Sequence, residues 1–197
     1  MTKLLKIGIL AYHGDISEHE KATQKALKNL QLVGNIITVR TKEDVKNLDA
    51  LIIAGGESNV LYKLAVRAGI FEDIKNIKNI FGTCAGAIML ANTIHNKTKD
   101  QETLGLMDIE IDRNAYGRQT DSFEQDIETS LGKIPAVFIR APKIISAGKN
   151  VTVLAKNGEE ILACEEHVDE KYYLATTFHP ELTTTKYHEH FLKNLSK

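Results

Sequence analysis

Apolar and polar positions alternate along the chain in two rhythms. Leu4 to Ala11 reads Leu-Leu-Lys-Ile-Gly-Ile-Leu-Ala and is bounded by His13-Gly14, the texture of a short strand buried on both faces. Ser17 is followed three places later by Glu20, which suits a capping box, and Ala22, Ala26, Leu27 and Leu30 then recur at helical spacing. A strand, a loop and a helix are therefore expected in succession. Ile36 to Val39 and Ala50 to Ala54 read as second and third strands, the latter stopping at Gly55-Gly56, with a short helix or turn over Lys42 to Leu48. Val60 to Ala68 has a helical pattern. Ile80-Phe81 is a very short apolar segment before Gly82-Thr83-Cys84-Ala85-Gly86, and Ala87 to Ile94 is expected to be helical.

Beyond Leu104 the pattern becomes β-rich, with strands expected at Met107 to Ile111, Ala136 to Ile139, Val151 to Ala155, Glu160 to Cys164 and Tyr172 to Thr177, before a closing helix from Thr185 to Leu195. Strands alternating with helices in the first half predict an α/β fold, a three-layer open and mostly parallel sheet with flanking helices. The second half adds antiparallel strands to it. No repeat, low-complexity tract or linker composition marks a boundary, so residues 1–197 are expected to form one domain.

Composition narrows the function classes. Lys and Arg total 25 against 26 Asp and Glu in 197 residues, a formal net charge of -1, which gives no global field for nucleic acid or anionic membrane. No run of 18 apolar residues and no cleavable leader pattern occurs, so neither membrane spanning nor secretion is expected. Two cysteines, Cys84 and Cys164, are too few for a disulfide framework or a Cys-rich zinc site, which favours a reducing, cytoplasmic setting.

Three short motifs carry candidate chemistry. Gly82-Thr83-Cys84-Ala85-Gly86 has the form Gly-x-nucleophile-x-Gly between a strand-like segment and a helix, as in a nucleophile elbow. Helix N-terminal amides there favour negative charge on sulfur. His179-Pro180-Glu181 follows the last predicted strand, and in an extended segment positions i and i+2 share a side, so the carboxylate can orient the imidazole. Gly55-Gly56-Glu57-Ser58 closes a parallel strand where open α/β sheets bind ligands, and its glycines let backbone amides approach a carboxylate or an oxyanion. Taken singly, each motif also has a plain structural reading: a buried cysteine in a turn, a surface Pro turn, a strand-to-helix turn. Metal binding has little support. His188 and His190 stand two apart in a predicted helix, and Cys164 with His167 offers only two ligands. His13 lies in the first loop, either as a ligand-facing residue or as an ordinary polar loop residue.

Together these residues resemble a class I (triad) glutamine amidotransferase with a flavodoxin-like core, and more closely the glutaminase subunits of pyridoxal 5'-phosphate synthase. The resemblance spans nearly the whole chain. It rests on Gly55-Gly56-Glu57-Ser58, Phe81 to Gly86 and His179-Pro180-Glu181-Leu182, and for the subfamily on Asp112-Arg113-Asn114-Ala115-Tyr116-Gly117-Arg118-Gln119 with Asp121-Ser122-Phe123-Glu124, and on Phe138-Ile139-Arg140-Ala141-Pro142. It implies that Cys84 attacks the carboxamide of L-glutamine, that His179 is general base and acid, and that Glu181 orients it. Gly56 and Ala85 would supply the oxyanion hole, while Gly56, Glu57, Ser58, Arg113, Ile139 and Arg140 would hold the substrate. No metal and no organic cofactor is implied. The partner would be a separate (β/α)8-barrel synthase subunit that receives the ammonia internally and whose docking reorients the Gly55-Gly56 peptide. One departure concerns that partner: Ala11-Tyr12-His13-Gly14 stands where the family usually has Leu-Gln-Gly. Two other readings compete, a glutaminase of another pathway, such as histidine or purine biosynthesis, and a non-catalytic binding protein on the same scaffold.

Overall fold

The computed structural model describes residues 4–114 and 122–195. In chain order, strand β1 (Leu5–Leu10) leads to helix α1 (Ile16–Asn29), strand β2 (Gly34–Val39), helix α2 (Lys42–Val45), strand β3 (Ala50–Ile53), helices α3 (Ser58–Arg67) and α4 (Phe71–Ile74), strand β4 (Asn79–Thr83) and helix α5 (Ala85–Leu90). Strands β5 (Ala91–His95), β6 (Met107–Asp112), β7 (Phe123–Ile127), β8 (Ile134–Phe138), β9 (Lys143–Ala147), β10 (Val151–Asn157), β11 (Glu160–Val168) and β12 (Lys171–Thr176) follow. A single 3-10 turn, Pro180–Leu182, and helix α6 (Lys186–Asn194) close the chain.

Strands β2, β1, β3, β4 and β12 lie side by side in that order, all parallel. The chain runs outward from β1 to β2 and then back across to β3, so a topological switch point falls between β1 and β3, where such sheets leave a crevice at the carboxyl ends of the strands. Strand β11 pairs antiparallel with β12 and β9, with β6 and β5 extending the sheet beyond β9, while β7 and β8 form a separate hairpin. The α/β, mostly parallel architecture matches the sequence expectation.

Continuous apolar strands follow from covering both faces. Along β3 the period-two alternation sends Leu51 and Ile53 into one apolar layer with Leu61 and Ala65 of α3, and Ala50 and Ile52 into the other with Leu27 of α1 and Phe191 of α6. All four β3 residues are buried.

Three expectations need correction. The capping box at Ser17 is absent: Asp15 is the N-cap of α1 without a side-chain cap bond, and the Ser17 hydroxyl donates to Glu18 Oε2 inside the helix. A capping box forms instead at Thr41 and Asp44, ahead of α2. The helix expected over Ala87 to Ile94 stops at Leu90, because Ala91 turns extended (φ -59°, ψ 147°) and Ala91–His95 pairs in parallel with β6, where β-branched Thr93 and Ile94 fit a pleated strand. Strands β7 and β9 and helix α4 have no counterpart in the sequence reading; the Phe-Glu-Gln-Asp-Ile of β7 is too polar to signal a strand on its own.

Phe81 in β4 is fully buried, with ring centroids 5.6 Å from Phe191 and 5.3 Å from His188. Phe81→Ala is expected to destabilise the fold by about 3–5 kcal/mol, read as a lower urea midpoint at unchanged m-value; a loss below about 1 kcal/mol would contradict this packing.

Candidate active site

The loops after β1, β3, β4 and β12 converge on a pocket of about 270 Å³ beside the switch point. Cys84 follows β4 directly and adopts φ 48°, ψ -103°, a conformation costly for any side-chain-bearing residue. Its amide donates to the Thr176 carbonyl at 2.8 Å, which fastens the turn to β12. The flanking glycines are steric requirements. A Cβ on Gly82 would lie 2.5 Å from the Gly86 backbone, and one on Gly86 would lie 2.0 Å from the Ile53 carbonyl oxygen. The elbow therefore packs against its own helix and against β3 with no room for a methyl group. The Cys84 sulfur points into the pocket, 3.8 Å from the Ile139 carbonyl that accepts from it.

His179, almost fully buried, faces the same pocket. Its Nδ1 lies 2.8 Å from Glu181 Oε1 and 3.2 Å from Asp15 Oδ2, two carboxylates on one ring nitrogen. Nδ1 therefore carries the proton. The other nitrogen, Nε2, is buried without a conventional hydrogen bond among the described residues, and the Cys84 side chain interacts with the ring. Gly55 is glycine because a Cβ there would lie 2.3 Å from His179 Cε1. The imidazole and Glu181 do meet, but by a different route from the expected extended i, i+2 pair: Pro180–Leu182 is a 3-10 turn that folds the carboxylate back beneath the ring.

Electrostatics follow from this packing. Burial alone would push the His179 pKa down, but its interactions with Asp15, Cys84 and Glu181 outweigh it and hold the pKa well above the ordinary 6.5. Burial would raise Glu181, yet the facing His19 and His179 imidazoles lower it below the ordinary carboxylate range. Asp15 is also lowered, first by its bond to His179. Asp15, His179 and Glu181 cluster closely enough to hold a cation, but both carboxylates are already spent on one imidazole nitrogen, which makes the set a hydrogen-bonded unit.

The remaining expected residues gather around this pair. Gly56 has φ 123° and its side-chain position is filled by His13, whose Nδ1 would lie 2.2 Å from a Cβ and accepts from the Glu57 amide at 3.3 Å. Glu57 caps α3, accepting from the amides of Asn59 at 3.2 Å and Val60 at 3.0 Å, and forms an ion pair with Arg113. Ser58 is buried, its hydroxyl accepting from Gln101 Nε2 at 2.9 Å. Ile139 and Arg140 line the pocket from the segment after β8, with Arg140 at φ 45°. Ala85 is the first residue of α5, so its amide has no acceptor within its own helix. Of the subfamily block, residues 115–121 lie outside the described residues, which takes in Ala115 to Gln119 and Asp121.

Asp15, His19 and Gln101 were not singled out from the sequence. Nothing local to Asp15 indicates that its carboxylate turns to a residue 164 positions away. His188 and His190 engage different partners, His19 and Glu165, and Cys164 is a core thiol pushed up to about 12 by burial and then by Glu166 and Glu165. No helix among the described residues is long and apolar enough to cross a membrane.

Comparison with known proteins places this geometry in a family. Residues 9–197 match the SNO glutamine amidotransferase family. The chain is 39% identical over 198 residues to the pyridoxal 5'-phosphate synthase subunit PdxT of Thermococcus kodakarensis, covering 96% of this chain and 98% of that protein. It is likewise 39% identical over 199 residues to the PdxT of Pyrococcus horikoshii, covering 97% of this chain and all of that one. A solved structure described as a glutamine amidotransferase superposes with a TM-score of 0.82 at 39% identity, covering 97% of this chain and 99% of the other.

The buried carboxylate makes stability pH-dependent with a defined sign. Because its native pKa is lowered, Glu181 contributes stability that is fully present above the ordinary value of 4.5 and is lost as the pH falls from there towards the native value. The stability difference between wild type and Glu181→Gln is expected to shrink as the pH drops from 6 to 3. Urea unfolding across that range measures it; a constant difference would contradict a charged, paired Glu181.

Proposed function

The chain belongs to the SNO glutamine amidotransferase family and supplies ammonia from glutamine for pyridoxal 5'-phosphate synthesis, and we propose that it does so through a Cys84, His179 and Glu181 triad. The observation that carries this reading is the strained Cys84 elbow set beside a His179 whose Nδ1 is held by Glu181, in one pocket with Arg113 and Arg140. A vestigial scaffold would have no need of such strain, nor of glycines at 55, 82 and 86 where neighbouring atoms leave no room for a Cβ.

In the proposed cycle the Cys84 thiol gives its proton to His179 Nε2 and the sulfur attacks the side-chain carbonyl carbon of L-glutamine. The oxygen takes up negative charge, which the amides of Gly56 and Ala85 stabilise. His179 Nε2 gives its proton to the leaving nitrogen as the carbon–nitrogen bond breaks, releasing ammonia and leaving a γ-glutamyl thioester. A water then loses a proton to His179 and attacks the thioester; the carbon–sulfur bond breaks, the sulfur takes that proton back from His179 and L-glutamate departs. Glu181 keeps Nδ1 protonated throughout, so Nε2 is the nitrogen that exchanges protons.

Substrate binding follows from charge. Arg113 and Glu57 form a plus–minus pair at the pocket wall that complements the α-carboxylate and α-ammonium of a zwitterionic amino acid, and Arg140 adds a second cation. Ser58 and the Ile139 backbone border the same space. A pocket of about 270 Å³ suits an amino acid. The chain acts as one amidotransferase domain, with two apolar layers sharing one sheet. Its partner is a (β/α)8-barrel synthase subunit, and a reducing cytoplasm keeps the Cys84 thiol available.

Cys84→Ala is expected to abolish glutamine hydrolysis assayed with the synthase subunit present while leaving the complex intact by size-exclusion chromatography. Retained turnover would overturn the nucleophile assignment. Glu181→Gln should lower kcat by about 10²- to 10⁴-fold through loss of imidazole orientation. Following glutamate and pyridoxal phosphate together tests the pathway: glutamate without pyridoxal phosphate would assign the chain to a different amidotransferase.

A further inference from the structure

Behind the proposed triad lies a buried pair of imidazoles that the cycle above does not use. His19, on α1, is fully buried, and His188, on α6, nearly so. His19 Nε2 lies 3.3 Å from Glu181 Oε1 and 3.1 Å from Thr83 Oγ1, while its Nδ1 lies 3.0 Å from His188 Nε2. Thr83 immediately precedes Cys84. One ring thus touches both the residue that launches the nucleophile elbow and the carboxylate that orients the base.

The protons on this chain follow from what each nitrogen faces. A nitrogen lone pair pointed at a buried carboxylate is repelled, so His19 Nε2 carries the proton, which lies between Thr83 Oγ1 at 3.1 Å and Glu181 Oε1 at 3.3 Å. Glu181 Oε1 then accepts from His179 and faces His19 Nε2 at 3.3 Å, while Oε2 has no hydrogen-bond partner among the described residues. Helix geometry reinforces the arrangement. Asp15 and His19 stand at i and i+4, on one face of α1, so a single helical turn reaches both His179 and Glu181.

We propose that His19 is a positioning residue of the triad, donating from Nε2 to Glu181 and tying that carboxylate to the Thr83–Cys84 elbow, with His188 backing its other nitrogen. This rests on the glutaminase reading. His19 does not line the pocket, so its loss lowers kcat and leaves KM for glutamine unchanged.

The test compares three variants of the full chain assayed with the synthase subunit. Gln places an amide N–H near the position of Nε2, Asn reaches only the position of Nδ1, and Leu fills the buried space without a donor. His19→Gln is expected to keep kcat within about threefold of wild type, and His19→Asn and His19→Leu to lose about ten- to a hundredfold, the scale of a hydrogen bond to a charged group. A packing role would reverse the order, with Leu best. Near-wild-type kcat in His19→Asn or His19→Leu, or an equal loss in all three, would overturn the proposal. If His19→Leu does not unfold cooperatively, the Gln and Asn pair decides it. The rate of Cys84 alkylation by iodoacetamide is followed in the same variants and is expected to fall in the same order. If wild type fails to hydrolyse glutamine with the synthase present, the glutaminase reading falls, and the alkylation series alone decides whether His19 positions the Cys84–His179 pair.

Discussion

A carboxylate as buried as that of Glu181 is tolerable only if donors meet it, and the arrangement of the site follows from how this is done. The 2.8 Å bond from His179 Nδ1 settles one side of the carboxylate and sets the ring so that Nε2 faces the cysteine side. His19 meets the same oxygen. To bring these groups together the chain needs the 3-10 turn after His179, the first turns of α1 and the carboxyl end of β4 in one place. A parallel sheet with its switch point beside β1 supplies that convergence.

Close backbone approach is the second constraint. The glycines at 55, 82 and 86 lie where neighbouring atoms leave no room for a Cβ, and each belongs to a contact that positions Cys84 or His179. The strain at Cys84 persists because Thr176, Ile53 and the start of α5 hold the turn from three sides. Strain and burial therefore act together: the sulfur and the imidazole are fixed relative to each other before any substrate arrives, which limits the reorganisation left to the reaction.

The departure at His13 gains a physical description. Its imidazole fills the space beside Gly56 and accepts from the Glu57 amide, against the peptide that the proposed oxyanion hole uses. Glu57 is also committed in two directions, capping α3 and pairing with Arg113.

Much of this protein was legible in its sequence. Apolar runs bounded by glycine marked β1, β3 and β4, because strands covered on both faces cannot hide their composition. Gly-x-Cys-x-Gly and His-Pro-Glu point to the proposed nucleophile and base, because each depends on local backbone geometry. Elements with weak local signals are not legible: β5 reads as the end of a helix and polar β7 carries no strand signal of its own, since pairing with β6 and β8 decides both. Tertiary structure alone made Asp15 a partner of His179, joined Gln101 to Ser58 and set His19 and His188 behind Glu181. Those contacts join residues far apart in the chain. A side chain's partner across such a distance is determined by how the layers stack around the sheet, and the order of residues carries no local trace of it.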